Sequence, residues 1–266
     1  MKKLSDVRQI SVAAGETPAV PIELILTGSE THAEVRIGRR AKATIYDAST
    51  SDEHSVMVTL EAESELLYVS LSAGSARTFR STVAEGASIH WHCTTIGNAA
   101  HDHSLISTCT GPNAKSDIDW IFAVRGKERQ SVTVRNIFAA RNGGGEITLK
   151  GVAQQKAHAV CNGMIEITEE GTGTDTYLTE DVLMLDATAK VDAIPGLEIR
   201  TNDVKASHSA TVSRVTAEDL FYLQSRGIDE KTARTMFVDG FLSDLTHSMP
   251  DEMLRDRVLS VLTLAL

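Results

Sequence analysis

The residues best suited to chemistry in this chain of 266 begin with a lone imidazole set in a strand. Val204, Ala206, His208, Ala210 and Val212 fall on one face of an alternating segment, and Ser207, Ser209, Thr211 and Ser213 on the other. A histidine among small apolar neighbours is either a satisfied core residue or a group with room above it for a second strand, a cofactor or a symmetry-related copy. Two further pairs have ligand-like spacing. His90 and His92 lie at i and i+2 on one strand face, with Cys93 on the other, and His101 and His103 repeat that spacing after Gly97. Two such pairs one coil apart could chelate Zn²⁺ or iron. No carboxylate or cysteine completes either set at a fixed spacing, so half-buried or surface histidines are the plainer reading. There is no Walker motif, no Gly-rich phosphate loop and no Ser-His-Asp ordering.

The elements that must hold these groups are mostly strands. Leu197 and Ile199 alternate against Glu198 and Arg200, and Thr201-Asn202-Asp203 breaks the run before the His208 strand begins. Residues 1–28 read as a lead-in. Residues 29–215 read as strand after strand, with about one apolar run per ten residues and single Gly, Asn or Asp punctuation. That spacing favours a solenoid over a sandwich or barrel, although no exact repeat unit is visible. The period changes at Thr216, where Thr-Ala-Glu-Asp forms a capping box, and Gly227 is the expected helix stop. Residues 216–266 therefore read as a small helical subdomain on a mainly β chain. Asp229 caps a second helix with an apolar stripe through Ala233, Met236, Phe237, Phe241 and Leu245. Pro250 opens a last one through Leu254, Val258 and Leu262. That last helix is apolar on more than one side, which fits two-sided core packing or a docking surface.

Charge and cysteine usage narrow the function. A net charge of −10 leaves no basic patch for phosphates, which argues against nucleic acid and anionic membrane surfaces. No apolar run approaches the ~20 residues that span a bilayer, which excludes a permease. No apolar signal core follows Met1-Lys2-Lys3-Leu4. Cys93, Cys109 and Cys161 are odd in number and far apart, which suits a reducing cytoplasm better than a disulfide framework.

The stretch LEIRTNDVKASHSATVSRV, followed by LFYLQSRGI, closely resembles the C-terminal core of the SufB/SufD family, scaffold components of SUF iron–sulfur cluster assembly. The likeness extends upstream through ITLKGV, NGMIEI and GTGTDTYLTEDVLMLD. It covers Lys150 to Leu245 closely and the segment from Ser81 onward more loosely. The resemblance implies a right-handed parallel β-helix core. It also implies docking of a SufC-type ABC ATPase on the C-terminal helices, at Phe237, Phe241, Leu245, Leu254, Val258 and Leu262, with ATP hydrolysis left to that partner and no enzyme activity here. It implies pairing with a second copy or a SufB/SufD paralogue near His208, where a cluster forms or is transferred and where Glu198 and Asp203 add carboxylates. Lys150 matches a lysine on the proposed sulfur route of SufB.

The chain also departs from that pattern. Ile199 and Ala206 stand where family members carry cysteines, and thiolate is the usual ligand of an iron–sulfur cluster. The site is thus more SufD-like than SufB-like. Cys161 falls where relatives usually carry an aromatic residue, and reads as a packed thiol. The longer N-terminal helical region of full-length relatives is not recognisable. Two alternatives stand beside the scaffold: a regulator that binds the ATPase without touching a cluster, and a carbohydrate-active β-helix enzyme. The latter needs paired acids on an aromatic-lined groove, and aromatics are only 5% of this chain.

Overall fold

The computed structural model describes residues 7–28, 30–51, 53–73, 76–97 and 101–247, together with 252, 255 and 256. In chain order the strands are β1 (Arg8–Val12), β2 (Ile22–Leu24), β3 (His32–Ile37), β4 (Lys42–Asp47), β5 (Glu53–Leu60), β6 (Glu65–Ala73), β7 (Ala76–Val83), β8 (Ser88–Gly97) and β9 (His101–Cys109). They continue as β10 (Lys115–Val124), β11 (Arg129–Phe138), β12 (Gly144–Ala153), β13 (His158–Ile167), β14 (Asp175–Met184), β15 (Lys190–Ala193), β16 (Gly196–Ile199) and β17 (Lys205–Arg214). Helices α1 (Ala217–Ser225) and α2 (Glu230–His247) follow.

Successive strands alternate between two parallel sheets, except that β15 and β16 lie in the same one. One runs β1-β3-β5-β7-β9-β11-β13-β15, with β16 also on β13; the other runs β17-β14-β12-β10-β8-β6-β4-β2. The chain is therefore a β-solenoid with one strand from each sheet per coil. Residues 8–12 and 22–24, inside the stretch read as a lead-in, supply the first rung of each sheet by pairing with β3 and β4.

The coils are closed by a stacked corner. Gly15, Arg40, Glu63, Gly86, Asn113, Asn142 and Gly173 all have left-handed φ between 56° and 76°. Each N–H donates to a carbonyl of the following coil, from Gly15 on Arg39 to Gly173 on Asp203. Gly and Asn accept this conformation readily, whereas Arg and Glu do so at some strain. The corner repeats after 23 residues early on, as from Arg40 to Glu63, and after 31 later, from Asn142 to Gly173. That drift hides the repeat from a fixed-period search.

Most apolar side chains between the sheets form one core that runs the length of the coil. A second cluster lies outside the even-strand sheet, where Ile121, Val152, Leu183 and Leu185 receive Leu220 of α1 and Ala233, Val238, Leu242 and Leu245 of α2. Thr216 and Asp219 cap α1 reciprocally, and Gly227, at φ 86°, ends it. Asp229 Oδ1 accepts from Thr232 N at 3.0 Å and caps α2. Among the described residues no helix is long and apolar enough to cross a membrane.

Candidate functional site

In a parallel ladder, residues in register point the same way, so each inward column can be followed from rung to rung. Ile22, Ile45, Tyr68, Trp91, Ile118, Ile147 and Leu178 form one such column, and its last member is His208. From Ile45 to Leu178 every member is fully buried, whereas His208 is exposed. Its imidazole thus belongs by orientation to the core and by position to the surface, because no rung covers it among the described residues. The neighbouring columns end alike. Ala210 stands over Glu180 and Val212 over Val182, and Val212 is 46% exposed. β17 pairs only with β14, which leaves one edge of a ten-residue strand open among the described residues.

Glu180, which was not singled out from the sequence, lies one rung below this end. It is fully buried; Oε1 accepts from Gly163 N at 2.6 Å, and Oε2 has no partner among the described residues. Burial raises its pKa, against the Gly163 N–H that favours the carboxylate. Its inward-pointing position two residues after Leu178 was the available signal. Glu198 and Asp203 are both exposed. Glu198 points away from the core and is held by Arg200, and the Asp203 carbonyl closes the last corner. No contact brings either carboxylate to His208 among the described residues. Ile199 is 40% exposed and Ala206 is half-buried. All three cysteines are buried and unpaired. Burial pushes the Cys93 and Cys161 thiols up, and Cys109 up to about 12, so none is a ready thiolate.

Lys150 points to the outer face of its sheet rather than into the lumen, since Leu149 and Gly151 take the inward positions of β12. Its ammonium donates to Asp244 Oδ2 and Oδ1 at 2.6 and 2.7 Å and to the Phe241 carbonyl at 3.2 Å. It also lies 5.3 Å from the centre of the Phe241 ring. Lys150 therefore fastens α2 to the solenoid. Of the apolar stripe on α2, Leu245 is buried against the chain's own sheet, and Phe237 and Phe241 are half-buried there. Leu254, Val258 and Leu262 lie outside the described residues. The apolar groups most open to solvent on the helices are instead Phe221 (70%), Tyr222 (59%) and Met236 (48%). A groove lined by Tyr222, Leu223, Met236 and Phe237 separates α1 from α2.

The four spaced histidines fall into two groups on opposite sides of the even-strand sheet. His103 faces the lumen, with its ring 5.9 Å from Trp120 and 3.1 Å from Gln130 Nε2, and His101 lies 6.2 Å from it, ring to ring. Burial, with the charge on His101, lowers the His103 pKa to about 3. His90 and His92 face outward, their rings 4.0 Å apart. A carboxylate does join them there, because Asp119 of β10 is in register with His92. Asp119 Oδ2 lies 2.9 Å from His90 Nε2 and 3.3 Å from His92 Nδ1. The 27-residue step from His92 to Asp119 becomes meaningful only once the coil length is known. Burial lowers His90, but Asp119 and Asp117 override it and leave the pKa raised. Burial and the neighbouring His90 bring His92 down to about 4. Trp91 and Trp120 are both sealed in the lumen, where neither can line a sugar-binding groove.

Residues 16–241 match the family model described as "SUF system FeS cluster assembly, SufBD core domain". The chain is similar to the iron–sulfur cluster assembly protein SufD of Escherichia coli, at 32% identity over 67% of this chain and 42% of that protein. It is 31% identical to SufD of Bacillus subtilis, over 57% of this chain and 35% of the relative. A SufBD family protein of Mycobacterium leprae is 26% identical over 86% of this chain and 27% of its own length. This chain thus spans less than half the length of each of these relatives. With the family model covering most of the solenoid and its first helices, the chain belongs to the SufBD core family of SUF-system FeS cluster assembly.

Proposed function

We propose that this chain is a scaffold or accessory subunit of SUF iron–sulfur cluster assembly. It acts at its His208 end against a second SufB/SufD-type chain, while its helices engage a SufC-type ATPase that hydrolyses the ATP. The observation that carries this reading is the inward column ending in an exposed His208 on a strand with one edge open among the described residues. A second rung laid on β17 would satisfy its open backbone edge, bury Val212 and enclose the imidazole with whatever ligands the other chain brings. Iron and sulfide are then cargo formed or handed on at the junction. His208 offers one imidazole nitrogen ligand, and thiolates come from the partner, since this chain has Ile199 and Ala206 at the family's cysteine positions. For the ATPase, exposed Phe221, Tyr222 and Met236 supply the apolar surface that Leu245 does not.

The test is association and anaerobic reconstitution with iron and sulfide, using a SufB-type partner and a SufC-type ATPase. Val212→Glu places a charge on the uncovered face and is expected to abolish pairing. His208→Ala is expected to keep pairing and to lower cluster yield, read by visible absorbance and Mössbauer spectra. Phe221→Ser with Met236→Ser is expected to reduce co-purification of the ATPase. Pairing unaffected by Val212→Glu, or cluster yield unaffected by His208→Ala, would refute the assignment of this end. A second reading, a regulator that binds the ATPase but never a cluster, is favoured by the burial of all three cysteines as thiols. It predicts ATPase binding with no cluster in any combination.

A further inference from the structure

We propose that His90, His92 and Asp119 bind one divalent transition-metal ion of the zinc or ferrous-iron class on the outer face of the even-strand sheet. The ligand atoms of these three residues lie within 4.8 Å of one another. Metal bonds of about 2.0–2.1 Å place neighbouring ligands about 2.8–3.0 Å apart in octahedral and about 3.3–3.4 Å apart in tetrahedral geometry. The 2.9 Å and 3.3 Å spacings from Asp119 Oδ2 to His90 and His92 are of that size. Two imidazoles and one carboxylate, with positions left open, form a donor set suited to Zn²⁺ or Fe²⁺.

The independent observation is His92. Its side chain is wholly buried on the outward face of the sheet, yet neither ring nitrogen has a hydrogen-bond partner among the described residues. A buried imidazole ordinarily finds partners, and one without them is costly unless it has another use. A metal bound through one nitrogen supplies that use. His90, at 38% side-chain exposure, and Asp119, at 16%, leave a route from solvent. Strand geometry pre-orients the set. The i, i+2 step puts both imidazoles on one face, and the parallel register puts Asp119 beside His92. His101 and His103 are excluded, because His103 faces the lumen.

The test uses the full chain stripped of metal, titrated with Zn²⁺ in air and with Fe²⁺ anaerobically against a competing chelator. Metal analysis of protein as isolated tells the two sources apart. One equivalent per chain is expected, and X-ray absorption should show nitrogen and oxygen ligands without sulfur. His90→Gln and Asp119→Asn, both at partly exposed positions and tolerable to the fold, are expected to weaken binding by about 100-fold or more, the upper range for losing even a supporting partner. His103→Gln and His208→Ala are expected to bind as wild type, which separates this site from the proposed cluster end. Less than one equivalent bound by the wild type would overturn the proposal. So would binding undiminished in both His90→Gln and Asp119→Asn, or equally diminished in His208→Ala.

Discussion

The link between Lys150 and Asp244 makes an asymmetric prediction. The Lys150 side chain is 10% exposed and that of Asp244 66%. Truncating the acid, as in Asp244→Ala, leaves a nearly dry ammonium with one backbone carbonyl, that of Phe241, in place of three acceptor atoms. A hydrogen bond to a charged group contributes about 1.5–3 kcal/mol, and a broken buried pair costs about 3–5 kcal/mol. With one partner at the rim, Asp244→Ala is expected to cost about 2–3 kcal/mol. Lys150→Met keeps the methylene packing on Phe241 and removes the desolvated charge, while Asp244 returns to water. Its expected cost is below about 1 kcal/mol. The double variant should match Lys150→Met alone, because the cost of losing Asp244 is the stranded ammonium.

Urea unfolding measures these values, with tryptophan emission reporting the lumen through Trp91 and Trp120, and limited proteolysis reporting α2. The pH dependence gives a second check. Lys150 holds the Asp244 carboxyl below its ordinary value, against the opposing effect of burial. The stabilisation is therefore complete above the unfolded aspartate value of about 3.9 and is lost as pH falls through the depressed one. Lys150→Met should lack that acid limb. A loss in Lys150→Met as large as that in Asp244→Ala, or additive losses in the double variant, would refute the account.

Two further outcomes follow from the inner face. Burial raises the Glu180 pKa, so its contribution to stability is complete below the unfolded glutamate value of about 4.3 and is lost as pH rises toward the folded one. Glu180→Gln is expected to flatten that decline in urea midpoints measured across the range; an unchanged slope would remove Glu180 as its source. At Gly151 an added Cβ would sit 2.0 Å from Phe122 Cζ and 2.2 Å from Cε2. Gly151→Ala should cost about 1–3 kcal/mol by overpacking, and Phe122→Leu should relieve it. In a double-mutant cycle the pair should fall short of additivity by at least about 0.5 kcal/mol; additive losses would mean the clash is absorbed elsewhere.

How much of this could be read from the sequence depended on whether a face was apolar on one side only. The capping box at Thr216, the stop at Gly227 and the alternation around His208 are local signals, and each appears in the structure where it was expected. The solenoid was legible as evenly spaced strands punctuated by Gly and Asn. Strands β7 and β9 were not, because their inward residues include Arg77, Ser81, His103 and Ser107. The serines among them are satisfied deep in the lumen, where Ser81 donates to Ser107 at 2.7 Å and Ser116 donates to Ser107 at 2.7 Å, whereas Arg77 Nε and His103 Nδ1 have no partner among the described residues. In β6 the apolar row Leu67, Val69 and Leu71 faces outward, while Leu66, Tyr68 and Ser70 face the core. Both faces of that sheet are apolar where outer side chains are covered, so periodicity could not select the inner one. Asp119 was invisible as a partner of His92 because a coil of variable length sets the spacing between them.

The direction in which the chain leaves its last coil gives the physical reason for locating the proposed partner at the His208 end. A parallel coil covers each rung with the next, so its final rung needs a cap, a break in pattern or another molecule. Here the pattern does not break, since β17 keeps ten residues in register with β14 and keeps its small residues pointing inward. Nor, among the described residues, do the following helices cap it. Leu220, Ala233, Val238 and Leu242 instead pack sideways on the outer face, against Ile121, Val152 and Leu183, and Lys150 holds α2 there. The same sequence that builds a helix able to bury an apolar stripe thus spends it on the flank and, among the described residues, leaves the end open. Had α1 folded over β17, His208 and Val212 would be as buried as Leu178 and Val182 one rung below, and nothing in this chain would favour one end of the coil over its flank as the place where a second subunit binds.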